Sequence, residues 1–388
     1  MSSLNKKKIC FITGSRAEYG LIENLIDIFS KDKSFKTYLI VTGSHLSKKF
    51  GMTFDRIYKK KITIKKIKLN LDKDTNKSLY ENQRKLSHEI NNFCSNIKPT
   101  CFVVLGDRFE IFSICSFIQF LNIPIIHLHG GEKTTGSLDD QLRHCITKMS
   151  HIHFVANKEF KKRVLQLGEL KKSVHIVGGL GIDKIKKISL LSKSKINKKI
   201  KFDLKNKNIL INVHPDTIKR KNTKKITDII CEVINKYKNI TFIITYPNFD
   251  IGHEYIIKKF KELERKKSNV NLYHSLGDQV FLSVLKNCDV MIGNSSSAFT
   301  EAPYFKTPAI NIGDRQNGRP VSKNIHNTKI SYESINSKLK FFLKTDYRKK
   351  IKRIDNKYGN NGASKKIYNI IKKTKFNENL LKKEFNDL

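Results

Sequence analysis

The chain has 388 residues, of which 39% are hydrophobic and 10% aromatic. That is enough apolar material for real cores, so a disordered polymer is excluded, and at roughly 150 residues per domain the length points to two domains. Lys and Arg number 76 against 35 Asp and Glu, a formal net charge of +41, which raises nucleic acid or a membrane surface as partners. Only 12 of the 76 are Arg, and Lys is scattered over the whole length alongside abundant Ile and Asn. A solvated lysine-rich surface set by AT-rich codons accounts for this better than a polyanion site, so no nucleic-acid partner is expected. No apolar run approaches the roughly 18 residues of a membrane span. The opening MSSLNKKKICFITG lacks the long apolar core of a secretory signal. Seven Cys form no C-x-x-C pair and sit mostly among apolar neighbours, the pattern of reduced thiols in a cytoplasmic protein.

In chain order, the spacing predicts a buried strand over residues 8–13, a polar turn over 14–20 and a helix over 21–29. Residues 38–42 read as a second strand, and 45–58 as a helix with Phe50, Phe54 and Ile57 on one face. A strand over 100–105 ends at Gly106-Asp107-Arg108, a buried helix follows over 109–120, and further strands fall at 123–128, 152–156 and 173–177. Continuous apolar strands alternating with helices imply a parallel sheet covered on both faces. The Lys-rich stretch 184–207 carries no strand signal and is the expected linker. Strands restart at 208–213, 240–246, 270–273, 289–293 and 307–312, giving a second α/β half. From Asp346 onward the pattern is polar and helical, and Ile367, Ile370 and Ile371 form one candidate packed face. The domain expectation is therefore 1–183, 184–360 and a C-terminal helix within 361–388.

Ligands of open parallel sheets bind at the carboxyl ends of the strands, so the polar residues there are the site candidates. The first strand runs into Gly14-Ser15-Arg16-Ala17-Glu18-Tyr19-Gly20, whose glycines and following helix suit an anion, with Arg16 as a phosphate grip. It is not a G-x-G-x-x-G, so the dinucleotide fingerprint is absent. Gly106-Asp107-Arg108, then His127-Leu128-His129-Gly130-Gly131-Glu132, then Asp139, Asp140, Arg143 and His144 bring acids, His and Arg to two strand ends and a helix start. Such a cluster can split carboxyl groups into an acid and a base. The bland alternative is a salt-bridged turn. A metal site built on His127, His129, His144, His151 and His153 lacks any H-E-x-x-H or C-x-x-C support. In the second half, Val213-His214-Pro215, Tyr246-Pro247-Asn248, Gly293-Asn294-Ser295-Ser296-Ser297 and Gly313-Asp314-Arg315-Gln316 end strands. Serines opening a helix suit a diphosphate, Glu301 about one turn on can accept both hydroxyls of a ribose, and Arg315 adds a cation; simple N-capping by Ser is the alternative.

These motifs, together with Ile146-Thr147-Lys148-Met149-Ser150 after Arg143-His144, resemble the hydrolysing UDP-N-acetylglucosamine 2-epimerases of bacterial sialic- and legionaminic-acid pathways. The resemblance runs in order through about residues 6–330; each motif is weak alone, and the ordered set is specific. It implies a GT-B fold: two Rossmann-like domains with parallel sheets, an interdomain active-site cleft, and a C-terminal helix crossing back to the first domain. It implies elimination of UDP with loss of the proton on sugar carbon 2, then hydration of the glycal-like intermediate at carbon 1. UDP-N-acetylglucosamine would give N-acetylmannosamine and UDP for sialic (nonulosonic) acid synthesis. The alternative substrate is UDP-N,N'-diacetylbacillosamine, and a GT-B glycosyltransferase is the more distant reading. The resemblance assigns Asp107, Glu132, Asp139 and His129 to proton transfer, leaving acid and base open; other branches of the family carry a carboxylate where His129 stands. It assigns Arg16, Arg108, His214 and Arg315 to the diphosphate, Ser295, Ser296 and Glu301 to UDP phosphate and ribose, and His274 to the uridine side. It implies no metal, no nicotinamide cofactor and a homo-oligomer, dimer or tetramer; the cysteines and the apolar pattern above give the expected cytoplasmic location and no membrane partner.

Overall fold

Two all-parallel sheets organise the chain in this computed structural model. The structure describes residues 6–47, 52–57, 62–71, 76–134, 139–201, 203–204, 207–216, 218–247, 252–344, 347–351, 356–359 and 362–387. Two units share the contacts: Met1–Glu132, Asp139–Lys184 and Asn360–Leu388 in one, Lys133–Leu138 and Ile185–Gly359 in the other.

The first unit carries β1 (Lys7–Thr13), β2 (Phe35–Val41), β3 (Thr63–Lys66), β4 (Cys101–Leu105), β5 (Ile125–Leu128), β6 (Ile152–Val155) and β7 (Val174–Ile176). Their order is β3-β2-β1-β4-β5-β6-β7. Helices α1 (Arg16–Lys31), α2 (Asn76–Ile97), α3 (Phe109–Phe120), α4 (Asp139–Met149), α5 (Lys158–Gln166) and α6 (Leu180–Lys187) connect and follow the strands. Both faces of the central strands are buried. On β1, Ile9 and Phe11 join one apolar cluster with Leu25 and Phe29 of α1, while Cys10 and Ile12 join another with Leu86 and Ile90 of α2. That two-sided burial is why these strands read as unbroken apolar runs rather than as alternating ones.

The C-terminal helix, Ala363–Lys373, belongs to this unit. Ile367 and Ile371 are buried in the α1 cluster, and Ile370 is partly buried against it. The Tyr368 ring meets Phe29 edge-on at 5.1 Å between centroids, and its hydroxyl donates to Asp32 at 2.6 Å. The helix start is capped from a distance: Asp183 accepts from the backbone N–H of Gly362 (2.6 Å), Ala363 (3.3 Å) and Ser364 (2.6 Å).

The second unit carries α7 (Lys193–Ile200), β8 (Asn208–Asn212), α8 (Arg220–Lys236), β9 (Thr241–Thr245), α9 (His253–Lys266), β10 (Val270–Tyr273), α10 (Gly277–Asn287), β11 (Val290–Gly293), α11 (Ser297–Thr300), β12 (Ala309–Ile312), β13 (Ile325–Thr328) and α12 (Tyr332–Lys344). The strand order is β10-β9-β8-β11-β12-β13.

Three element expectations are overturned. The polar turn expected over 14–20 is already helical from Arg16 onward. Residues 45–58 do not form one helix; they hold two short 3-10 turns, Gly43–Leu46 and Thr53–Arg56. His45 is buried between the hydroxyls of Thr13 (3.0 Å) and Thr53 (2.8 Å), so tertiary hydrogen bonds override the apolar spacing. Phe50 and Tyr58 lie outside the described residues. The expected linker 184–207 contains the end of α6 and all of α7, with Ile196, Ile200 and Leu204 buried; its many lysines mask a narrow apolar stripe.

Replacing Asp183 by Ala leaves three helix-start N–H groups without their acceptor. The expected loss is about 1–3 kcal/mol, read as a lower urea midpoint; an unchanged midpoint would show that other acceptors serve them.

Candidate active site

The polar residues predicted at strand ends do lie there. Asp107 and Arg108 stand between β4 and α3, His129 and Glu132 follow β5, and Asp139 and Asp140 open α4. Arg143, one turn into α4 with a side chain only 3% exposed, joins three of these segments. Its Nη2 donates to Asp107 Oδ2. Its Nη1 donates to Asp140 Oδ1 and to the Glu132 carbonyl, both at 3.0 Å. A guanidinium is tolerated at such depth only when paired on several sides.

Glu132 is 5% exposed. Its Oε1 lies 2.7 Å from His129 Nδ1, while His129 Nε2 lies 3.3 Å from the amide nitrogen of Leu180 at the start of α6. The Leu180 N–H can only donate, so Nε2 presents its lone pair and Nδ1–H donates to the Glu132 carboxylate. His129 holds this place with a left-handed backbone, φ +65°.

His144 Nε2 lies 3.8 Å from Asp140 Oδ2 beside this group, whereas the other histidines of the stretch do not converge on it. His127 is fully buried, with Nε2 3.0 Å from the Gly106 carbonyl and Nδ1 3.2 Å from the Thr147 hydroxyl; burial pushes its pKa down to about 3. It is a neutral strut between β5 and the turn after β4. His153 is buried against Glu169 Oε2 at 2.9 Å, and His151 Nδ1 accepts from the Ile125 N–H at 3.1 Å. Among the described residues, no group of three or more His, Cys, Asp or Glu is placed to hold a metal ion.

The turn after β1 differs from the anion-binding expectation. Ser15 caps α1 in a reciprocal capping box with Glu18. Glu18 Oε2 accepts from the N–H of Gly14 (2.7 Å) and Ser15 (3.2 Å). The chain's own Glu18 carboxyl group thus fills the N–H cradle that looked ready for phosphate, and Arg16 opens α1 beside it. Glu110, 5% exposed, accepts from Arg108 Nε at 2.9 Å. Glu110 chiefly, with Glu18 and Asp139, pushes the Arg108 guanidinium pKa further up, although its side chain is 44% exposed. Burial and the Glu110 charge raise Glu18 to about 8, against the pull of Arg108. A Cβ on Gly14 would fall on the Glu110 carboxyl group and displace that side chain. The Ser15-x-x-Glu18 spacing could have announced this cap; nothing in the sequence marks Glu110.

In the second unit, Asn294 is the fixed point. It is fully buried; its Oδ1 accepts from the His214 N–H (2.7 Å) and its Nδ2 donates to the His214 carbonyl (2.8 Å). Its own carbonyl accepts from Arg315 Nη1 (3.2 Å) and Gln316 Nε2 (3.0 Å). Arg315 Nε also donates to the Pro215 carbonyl at 3.1 Å. His214 and Arg315 are thereby brought together. Gly293, φ +148°, precedes this residue, and a Cβ there would overlap the Asn212 carbonyl. Burial and the adjacent Arg315 push His214 down to about 3, which favours the neutral imidazole.

Ser295 is buried and its Oγ accepts from the Ser297 N–H at 3.3 Å, while Ser296 directly precedes α11. The helix predicted to carry Glu301 is only the four residues of α11, and Glu301 follows it, accepting from the Thr300 hydroxyl. Pro303 lies two residues on, where it disfavours continuation. His274, exposed after β10, stacks on Tyr246 with centroids 4.0 Å apart and planes 34° from parallel. Sequence reading placed Tyr246 at a strand end without giving it a role, and Asn248 of the same segment lies outside the described residues.

A profile of the UDP-N-acetylglucosamine 2-epimerase family matches residues 28–372. The chain is 39% identical over 341 residues to a Campylobacter jejuni GDP/UDP-N,N'-diacetylbacillosamine 2-epimerase (hydrolyzing), covering 86% of this chain and 89% of that protein. It is 31% identical over 386 residues to a Legionella pneumophila UDP-N,N'-diacetylbacillosamine 2-epimerase (hydrolyzing), covering 97% and 98%. The crystal structure of a Neisseria meningitidis UDP-GlcNAc 2-epimerase bound to UDP-GlcNAc matches with a TM-score of 0.81 at 21% identity, over 95% of this chain and 100% of that one. That likeness gives the fold, the GT-B type with two Rossmann-like domains, as expected from the motifs. With the family profile spanning most of the chain and hydrolysing relatives matching it nearly end to end, the chain belongs to the UDP-N-acetylglucosamine 2-epimerase family, among its hydrolysing members.

Proposed function

We propose that the chain eliminates UDP from a UDP-2-acetamido sugar, then hydrates the glycal-like intermediate and releases the free 2-epimer. The observation that carries this reading is the acid group around Arg143. Elimination needs a base for the proton on carbon 2 and an acid for the departing phosphate oxygen. Asp107 through its carboxylate and Glu132 through its backbone carbonyl are tied to one buried guanidinium from different strand ends, and Asp139 opens the same helix that supplies it. Carboxyl groups in such unequal surroundings suit an acid and a base on one site. Holding the guanidinium also fixes their positions before substrate arrives, which favours the transition state rather than the ground state.

UDP is assigned to Arg16, Arg108, His214, Arg315, Ser295, Ser296, Glu301 and His274. Arg315 meets the diphosphate as a cation; His214 meets it as a neutral hydrogen-bonding ring. The flat face of His274, backed by Tyr246, suits the base. For the sugar, the names of the relatives at 39% and 31% identity favour UDP-N,N'-diacetylbacillosamine. UDP-N-acetylglucosamine, whose epimer enters sialic acid synthesis, is the second reading and is favoured by the family description. The working form is a homo-oligomer, dimer or tetramer.

Side-by-side assays of the two sugar nucleotides in deuterated water are expected to release UDP from one of them and place deuterium on carbon 2. Release from neither removes the epimerase reading, and product without deuterium removes the elimination route. Asp107→Asn is expected to lower kcat by about 10²–10⁴ with KM little changed; wild-type turnover would take Asp107 off the proton path. Glu301→Ala is expected to weaken UDP binding about tenfold by calorimetry, the size of one or two lost hydrogen bonds. Unchanged affinity would misplace the ribose.

A further inference from the structure

Resting on the proposed reaction, we infer that His129 is a positioning residue: its neutral ring fixes the Glu132 carboxylate and does not carry the transferred proton. Both ring nitrogens are already committed. Nδ1 stands 2.7 Å from Glu132 Oε1, the distance of a bond to a charged acceptor. Nε2 receives the Leu180 N–H at 3.3 Å, one of the first-turn donors of α6 that no intrahelical carbonyl can satisfy. A proton added to Nε2 would point at that N–H, donor against donor. The ring therefore links a helix start to a carboxylate and stays in the Nδ1–H tautomer.

Glu132 is held at both ends by this arrangement. Arg143 takes its backbone carbonyl at 3.0 Å, and His129 takes Oε1 of its side chain. The left-handed backbone of His129, φ +65°, is uncommon for a residue with a Cβ and turns the ring back onto Glu132 three positions on. The proton leaving carbon 2 as its C–H bond breaks is thus taken by a carboxylate of the Asp107, Glu132 and Asp139 group, while the bonding pair forms the new double bond and UDP departs with its own electron pair.

Two substitutions separate positioning from proton transfer because both residues accept a left-handed backbone. His129→Asn places an amide N–H near the site of Nδ1 and offers no nitrogen that can take a proton. His129→Gly removes the donor altogether. The expected result is kcat within about tenfold of wild type for Asn and about 100-fold lower for Gly, with KM and the shape of the pH–rate profile retained in Asn. If Asn is as inactive as Gly, the imidazole itself carries the proton and the inference fails. If Gly turns over within about threefold of wild type, His129 has no role. Calorimetric UDP binding checks that each variant retains its folded nucleotide site. Nitrogen NMR of the wild-type ring gives a readout independent of turnover: the Nδ1–H tautomer is expected, and the Nε2–H tautomer overturns the inference. Should the wild-type protein turn over neither sugar nucleotide, the proposed reaction fails while the tautomer still stands or falls by NMR.

Discussion

A guanidinium with almost no exposure to water must find partners for its charge and its donors, and Arg143 meets that demand by drawing three separate segments together. Asp107 comes from the end of β4, the Glu132 carbonyl from the loop after β5, and Asp140 from its own helix. Without the cation, carboxylates at this spacing would repel and protonate, or turn outward. Without the carboxylates, the cation would be an unpaired buried charge, a cost of several kcal/mol. The strand ends of the first unit are therefore fixed by an electrostatic condition that also assembles an acid–base group. Structural and chemical requirements fall on the same side chains.

The second unit solves the same problem with a neutral residue. Asn294 uses its amide as donor and acceptor to the backbone of His214, and its carbonyl takes Arg315 and Gln316. The turns after β8, β11 and β12 are stitched at one buried point, and Gly293 is the position that lets the chain approach β8 closely enough. An amide is suited to this task because it offers both halves of a hydrogen-bond pair without a charge to desolvate.

Much of this was legible in the sequence, for identifiable reasons. The core strands of both units were readable because burial on two faces demands unbroken apolar runs, as in Phe102, Val103 and Val104 of β4. The strand-end placement of Asp107, Glu132, His214 and Arg315 followed from parallel topology alone. The edge strands β3 and β13 were missed because they carry polar residues and few apolar ones. Helix α7 was missed because Lys fills every position except Ile196 and Ile200 on its buried stripe and a few small polar ones. The false helix over 45–58 shows the opposite error: its apolar spacing was real, but His45 binds hydroxyls from two other segments. Glu18 and Glu110 escaped notice as a pair because their meeting depends on β1 and β4 lying side by side, which brings the turns after them together and which no local pattern encodes.

The distribution of partners also resolves what the net charge of +41 means. Arg143 is matched by two carboxylates, Arg108 by Glu110, and Arg315 by two carbonyl oxygens. Guanidiniums held in this way contribute fixed geometry more than net field, and the carbonyls of Pro215 and Asn294 orient Arg315. Lysines dominate the excess, and examples such as Lys219 and Lys259 pair with partly exposed acids where solvent and salt screen them. Long-range attraction of a nucleotide diphosphate can draw on that lysine field, but discrimination cannot, because a screened and mobile ammonium fixes no direction. Selectivity must instead come from the few cations whose orientation the fold has already determined.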